Sequence, residues 1–224
     1  MLIHAVLFDL YETLVTELNK PVRRASSLAT QLAVDESAYK REWKLRRPEI
    51  ILGRFTFRDA LAQIAATLGG VADETLLEGL RSERVAQKTD VLQSIDPDIL
   101  GAVGELHRRG LRLGLVTNAF EEDVAGWERS PLQPFFDVAV FSHVVRLAKP
   151  DPKIYVETCR ALDVMPQRAL FVGDGLDEVA GARAAGLAAC RALWFASRWP
   201  NTTISDDDSG LWRIGQVIQA ALAA

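Results

Sequence analysis

Four short stretches carry side chains able to do chemistry. In chain order they are Phe8-Asp9-Leu10-Tyr11-Glu12-Thr13-Leu14, Val116-Thr117-Asn118, Lys149-Pro150-Asp151-Pro152 and Gly173-Asp174-Gly175-Leu176-Asp177-Glu178. Taken singly, each has a plain explanation. An aspartate that ends a strand is a turn residue, Thr117 and Asp151 are helix caps, and Pro152 suits a first helical position. Asp177 and Glu178 favour a helix N-terminus. Taken together they offer a carboxylate nucleophile, a hydroxyl and an amide for an anion, a lysine, and acids for a cation. That set points to group transfer through an aspartyl intermediate, with Asp9 as nucleophile and one hard step divided into two.

The remaining roles follow from charge. The Thr117 hydroxyl and Asn118 amide suit phosphoryl oxygens beside a helix N-terminus. Lys149 is a compact point charge that neutralises Asp9 and an incoming anion. Asp174 and Glu178, with Asp177 adjacent, would crowd Asp9, and packed carboxylates repel unless one is protonated or a cation lies between them. A hard divalent ion with oxygen ligands, Mg²⁺, relieves that conflict and clamps a phosphate against the nucleophile.

Positioning these groups requires strands that end together. Apolar runs at 2–8, Leu111–Val116, Val138–Phe141, Ala169–Val172 and Ala188–Leu193 read as buried parallel strands. Helical patterns lie between them at Asp98–Arg109, Glu121–Arg129, Pro152–Leu162 and Asp177–Ala185, with Gly110 and Gly186 as stops. The alternation predicts an α/β fold, a doubly wound parallel sheet with ligands beyond the carboxyl ends of its strands. Residues 16–88 break the rhythm, with helices expected over Pro21–Ala33, Glu36–Leu45, Phe57–Leu68 and Asp73–Ala86. The expected organisation is a core of 1–15 and 89–224 with an inserted helical cap of 16–88. Ser197 to Gly210 reads as an exposed loop, and Leu211–Leu222 as a closing helix.

Bulk properties narrow the partners. A net charge of -4 gives no reason for nucleic acid. Cys159 and Cys190 form neither a metal-spaced cluster nor a disulfide framework. The apolar start stops at Asp9, too short for a bilayer, so no membrane partner and a cytoplasmic setting are expected. From Lys20 to Arg58 ten Lys and Arg face four Asp and Glu, and Arg41, Arg46, Arg47 and Arg54 could draw an anionic substrate over the site. His4, His107 and His143 are scattered without a ligand or triad spacing.

The four stretches and the helical insertion resemble the haloacid dehalogenase (HAD) superfamily, with a Rossmann-like core and the alpha-helical cap of its first cap class. The resemblance covers nearly the whole chain. It implies Asp9 as nucleophile, Thr117 as phosphate-binding hydroxyl, Lys149 as stabilising lysine and Asp174 as a metal-ligand acid. Thr13 and Asn118 are expected beside the substrate. Glu178 falls at the second acid of the fourth motif, with Asp177 the neighbouring alternative, and the Tyr11 backbone carbonyl is implied as a further metal ligand. Phosphatases of this superfamily carry a second aspartate where this chain has Tyr11. Asp-Leu-Tyr instead resembles the first motif of the L-2-haloacid dehalogenases, which are metal-independent and lack the acidic fourth stretch. The expected activity is Mg²⁺-dependent hydrolysis of a small phosphorylated metabolite. The alternatives are 2-haloacid dehalogenation through the same Asp9, and a weakly catalytic ligand-binding protein.

Overall fold

Alternating side chains give the central strand two covered faces. In β1 (Ala5–Phe8), Val6 and Phe8 join one hydrophobic core while Ala5 and Leu7 join another. The computed structural model describes residues 2–17, 25–196 and 210–223. After β1 come α1 (Ala25–Gln31), α2 (Glu36–Ile51), α3 (Phe57–Leu68), α4 (Glu74–Gln93) and α5 (Pro97–Arg108). Next are β2 (Arg112–Thr117), α6 (Glu121–Val124), β3 (Val138–Phe141), α7 (Ser142–Val145) and α8 (Pro152–Ala161). The chain continues through β4 (Ala169–Gly173), α9 (Leu176–Ala184), β5 (Ala188–Arg191) and α10 (Gly215–Ala223).

All strand pairs are parallel, in the order β3-β2-β1-β4-β5. Progression runs outward in both directions from β1, so a crevice opens at its carboxyl end. One sheet face packs on α5 and α10 through Ile99, Val103, Leu106, Val217 and Ala221. The other packs on α8 and α9 through Ile154, Tyr155, Cys159, Val179 and Ala182. Cys159 is buried there, which raises its thiol pKa to about 11 and keeps it inert.

Helices α1 to α4 enclose a separate apolar cluster that includes Leu32, Tyr39, Phe57, Leu61, Ile64 and Leu80. Side-chain caps start several of them. Asp35 accepts from Ala38 N–H, Asp73 from Leu76 N–H, and Thr56 with Asp59 forms a capping box.

Several elements differ from the sequence expectation. Helix α10 starts at Gly215 rather than at Leu211, because Leu211 pairs with Ala192 in an isolated parallel bridge. Helix α2 continues past Leu45 and through Pro48, because Ile50 and Ile51 bury into the helical cluster and offset the lost N–H bond. Helix α4 runs on to Gln93, and its burial changes partner along its length. Leu77 and Leu80 join the helical cluster, whereas Val91 and Leu92 join the sheet core, so one rigid helix serves both. The expected Glu121–Arg129 helix divides into α6 and a 3₁₀ turn at Trp127–Arg129, since α4 presses on Gly126. A Cβ at Gly126 would lie 2.9 Å from the Thr89 Cα. The expected helix start at 21–24 and the loop at 197–209 lie outside the described residues. No helix among the described residues is long and apolar enough to cross a membrane.

Candidate active site

Three neighbouring strands deliver the reactive groups to one place. Asp9 follows β1, Thr117 ends β2, and Gly173-Asp174 leaves β4. Backbone pairing holds Asp9 in line, its N–H donating to the Val172 carbonyl at 2.9 Å. Asp9, Thr13, Thr117 and Lys149 are all buried. The Lys149 side chain is 0% exposed; its Nζ bonds Asp9 Oδ1 and lies 2.9 Å from Glu178 Oε2. Thr13 Oγ1 donates to the other Asp9 oxygen at 3.4 Å. Asp9, Asp174 and Glu178 each present a carboxylate oxygen, and those oxygens all lie within 4.8 Å of one another.

Electrostatics follows from this crowding. Burial, then the nearby Asp9 charge, pushes the Asp174 carboxyl up to about 6, against the pull of Lys149. Burial also pushes Glu178 up to about 7; Lys149 opposes that rise while Asp9 and Asp174 add to it. Burial pulls Lys149 downward, but the Asp9 and Glu178 carboxylates outweigh it and leave the ammonium charged, above its ordinary value. One lysine therefore does not balance three acids. An all-oxygen donor set with excess negative charge fits a hard divalent cation, which would hold the acids ionised.

Several expected contacts take another form. The Asn118 amide, expected to face an anion, is committed at both ends to the Lys149 backbone: Nδ2 donates to the carbonyl and Oδ1 accepts from the N–H, both at 2.8 Å. That reciprocal pair makes Asn118 a clamp on the lysine loop. The Asp177 carboxylate accepts the Glu178 N–H at 3.0 Å in the first turn of α9 and is not one of the three clustered acids. The Tyr11 hydroxyl donates to the Asp123 carbonyl at 2.7 Å, and the Lys88 ammonium lies 4.2 Å from the ring centroid. Burial first, then the Asp123 and Glu17 charges, hold that phenol well above its usual pKa, so it is no ready proton donor. Glu12 is also engaged: its carboxylate accepts from Thr16 Oγ1 at 2.7 Å and from Glu17 N–H at 3.1 Å. Of the basic residues, Arg46 pairs with Glu42 and Arg54 with Glu49, which neutralises two of the four charges expected to attract an anion.

Other supports had weak or no sequence signals. The Tyr155 hydroxyl donates to the Glu178 carbonyl at 2.7 Å, fixing α9 against α8; its place one turn after Asp151 was the available clue. Arg191 Nε donates to the Asp174 carbonyl at 2.8 Å, and Trp194 Nε1 to the Thr13 carbonyl at 2.8 Å. Both come from beyond Gly186, and no local pattern links them to the site.

Close backbone approach completes the arrangement. A Cβ on Gly181 of α9 would lie 2.2 Å from the Pro150 carbonyl oxygen, next to Lys149. Gly181→Ala is therefore expected to push α9 and the lysine loop apart. Overpacking of this kind destabilises by about 1–3 kcal/mol, and turnover should fall with it. Thermal unfolding and kcat together check this; a variant unchanged in both would show that the contact does not position the site.

The chain belongs to the haloacid dehalogenase-like hydrolases: the model of that family matches residues 3–186. It is 37% identical over 99 residues to the glyceraldehyde 3-phosphate phosphatase of Methanopyrus kandleri, a match that spans 42% of each chain. It is 28% identical over 195 residues to the pyrophosphatase PpaX of Bacillus thuringiensis, covering 87% of this chain and 85% of that protein. Among solved structures, a 2-haloacid dehalogenase from Pseudomonas syringae shares the fold at a TM-score of 0.72 and 22% identity, over 99% of both chains. CbbY from Rhodobacter sphaeroides in complex with phosphate does so at a TM-score of 0.65 and 24% identity, over 100% of both chains.

Proposed function

We propose that this hydrolase is a Mg²⁺-dependent phosphatase acting on a small phosphorylated metabolite through Asp9. The observation that carries this reading is the cluster of Asp9, Asp174 and Glu178, whose oxygens converge within 4.8 Å beside a buried lysine. Sequence similarity to two curated phosphate-releasing enzymes supports it.

In this mechanism an Asp9 carboxylate oxygen attacks phosphorus as the ester P–O bond breaks. Thr117 and the Lys149 ammonium hold the transferring group. Water then attacks phosphorus, the bond to Asp9 breaks, and the carboxylate is regenerated with release of phosphate. Mg²⁺, held by Asp9, Asp174, Glu178 and the Tyr11 carbonyl, would supply positive charge for the phosphoryl oxygens. Asn118 acts by positioning Lys149. Residues 16–88 act as a cap that excludes bulk water from the site.

The departing oxygen lacks a carboxylic acid at residue 11. Because the Tyr11 phenol and Glu12 carboxylate are engaged elsewhere, its proton comes from water, and substrates whose leaving group needs none turn over faster. Phosphate release from a panel holding 4-nitrophenyl phosphate, acyl phosphates and alkyl phosphates, with Mg²⁺ or chelator, tests the reading, alongside chloride release from 2-chloropropionate. The expected result is Mg²⁺-dependent phosphate release, fastest from the aryl and acyl compounds. Chloride release in chelator with no phosphate release would replace it by the dehalogenase reading that the Asp-Leu-Tyr motif favours.

A further inference from the structure

Asp9 and Asp174 sit where the sheet stops coupling their two chain segments. Pairing of β1 with β4 ends at Phe8 and Val172, apart from the Asp9 N–H that donates to the Val172 carbonyl. Beyond that point one loop, 9–15, carries Asp9 and the Tyr11 carbonyl, and another, 173–175, carries Asp174. The gap between them is narrow: a Cβ on Gly173 would lie 3.3 Å from the Asp9 Cβ.

Residues 191–194, at the end of β5, reach both loops. Ala192 N–H donates to the Gly173 carbonyl and Arg191 Nε to the Asp174 carbonyl, each at 2.8 Å. Trp194 Nε1 donates to the Thr13 carbonyl at 2.8 Å. The 9–15 turn is stiff, because the N–H groups of Leu14 and Val15 both donate to the Leu10 carbonyl, at 2.8 and 3.0 Å. Holding the Thr13 carbonyl therefore holds the whole turn, including the Thr13 hydroxyl that donates to Asp9. The reaching stretch is itself anchored. Leu193 is buried, its N–H donates to the Leu211 carbonyl at 2.8 Å, and Leu211 N–H returns to the Arg191 carbonyl at 2.7 Å.

We propose that Arg191 and Trp194 are positioning residues that brace the two loops and thereby set affinity and selectivity for Mg²⁺. This rests on the phosphatase reading, in which Asp9, Asp174 and the Tyr11 carbonyl share that ion. Both side chains act through backbone carbonyls rather than on the ion itself. Mg²⁺ demands near-ideal octahedral geometry with ligands at about 2.0–2.1 Å, whereas Ca²⁺ accepts more oxygens in looser arrangements. A loosened brace therefore penalises Mg²⁺ more than Ca²⁺.

Trp194→Phe deletes the indole N–H and keeps an aromatic ring. Arg191→Lys keeps the charge and loses the planar guanidinium. Isothermal titration calorimetry gives the Kd for Mg²⁺ and for Ca²⁺ on the wild type and on each variant. Losing a group that orients metal ligands weakens binding on the order of 10–100-fold. The Mg²⁺ Kd should rise about tenfold or more in each variant, and the Ca²⁺ Kd should rise less. A side chain that only stabilises the fold would move both ions alike. An unchanged ratio of the two Kd values removes that residue from the brace, whatever its melting temperature, and unchanged ratios in both variants overturn the proposal. Loss of folding in both would overturn it too, by making the stretch purely structural. A wild type that takes up no Mg²⁺ would overturn the metal site of the phosphatase reading, and the brace with it. Phosphate release that fails while Mg²⁺ still binds would overturn that reading's activity alone, with the brace still judged by the Kd ratio.

Discussion

Asp9→Asn is expected to lower Mg²⁺-dependent phosphate release by at least about a thousandfold while the protein stays folded. The amide has the shape of the carboxylate but no charge with which to attack phosphorus. Little else depends on that charge. The strand contact from residue 9 N–H to the Val172 carbonyl is made by the backbone, and Leu10 and Leu14 stay buried. Lys149 keeps Glu178 Oε2 at 2.9 Å, so its ammonium is not orphaned. Removing one of three crowded acids also relieves repulsion. Phosphate release and a melting curve on the same sample separate the two effects. Retention of a tenth or more of the wild-type rate by a folded Asp9→Asn enzyme would remove Asp9 as nucleophile.

What was legible in the sequence and what was not divides along a physical line. Strand ends were readable because each apolar run stops at a residue that the sheet interior rejects, as at Asp9 and Asp174. The parallel order on β1 lets those ends converge, so Asp9, Lys149, Asp174 and Glu178 meet as expected. Helix ends were harder. Pro48 and the end of the cap pattern near Ala86 look like stops, yet burial of Ile50, Ile51, Val91 and Leu92 carries both helices onward. Side-chain direction was not readable at all. Nothing around Asn118 reveals that both ends of its amide turn to Lys149, a residue 31 positions away. The Tyr11 phenol likewise turns to a carbonyl 112 positions away.

Lys149 carries the largest expected effect on stability, and its size depends on pH. Lys149→Met fills the same space but leaves Asp9, Asp174 and Glu178 without their buried cation. Breaking a buried ion pair by removing one partner costs about 3–5 kcal/mol. In a chain of 224 residues each kcal/mol is roughly 2–4 °C of melting temperature. In chelator the loss must grow with pH. Asp174 and Glu178 already have folded-state values raised to about 6 and about 7, above the ordinary carboxylate range. A raised acid binds more protons folded than unfolded, so stability falls as pH climbs from that range through the folded values. Without Lys149 to lower them, both acids rise further and the window widens. Melting curves of wild type and Lys149→Met, in chelator at pH 5.5 and pH 8, should show a gap that is larger at pH 8. Added Mg²⁺ should narrow it by taking the place of the missing positive charge, while turnover stays low because no ammonium remains to hold the transferring group. A gap independent of pH and of Mg²⁺ would mean that Lys149 acts only as packing, and the acids would then not share one electrostatic site.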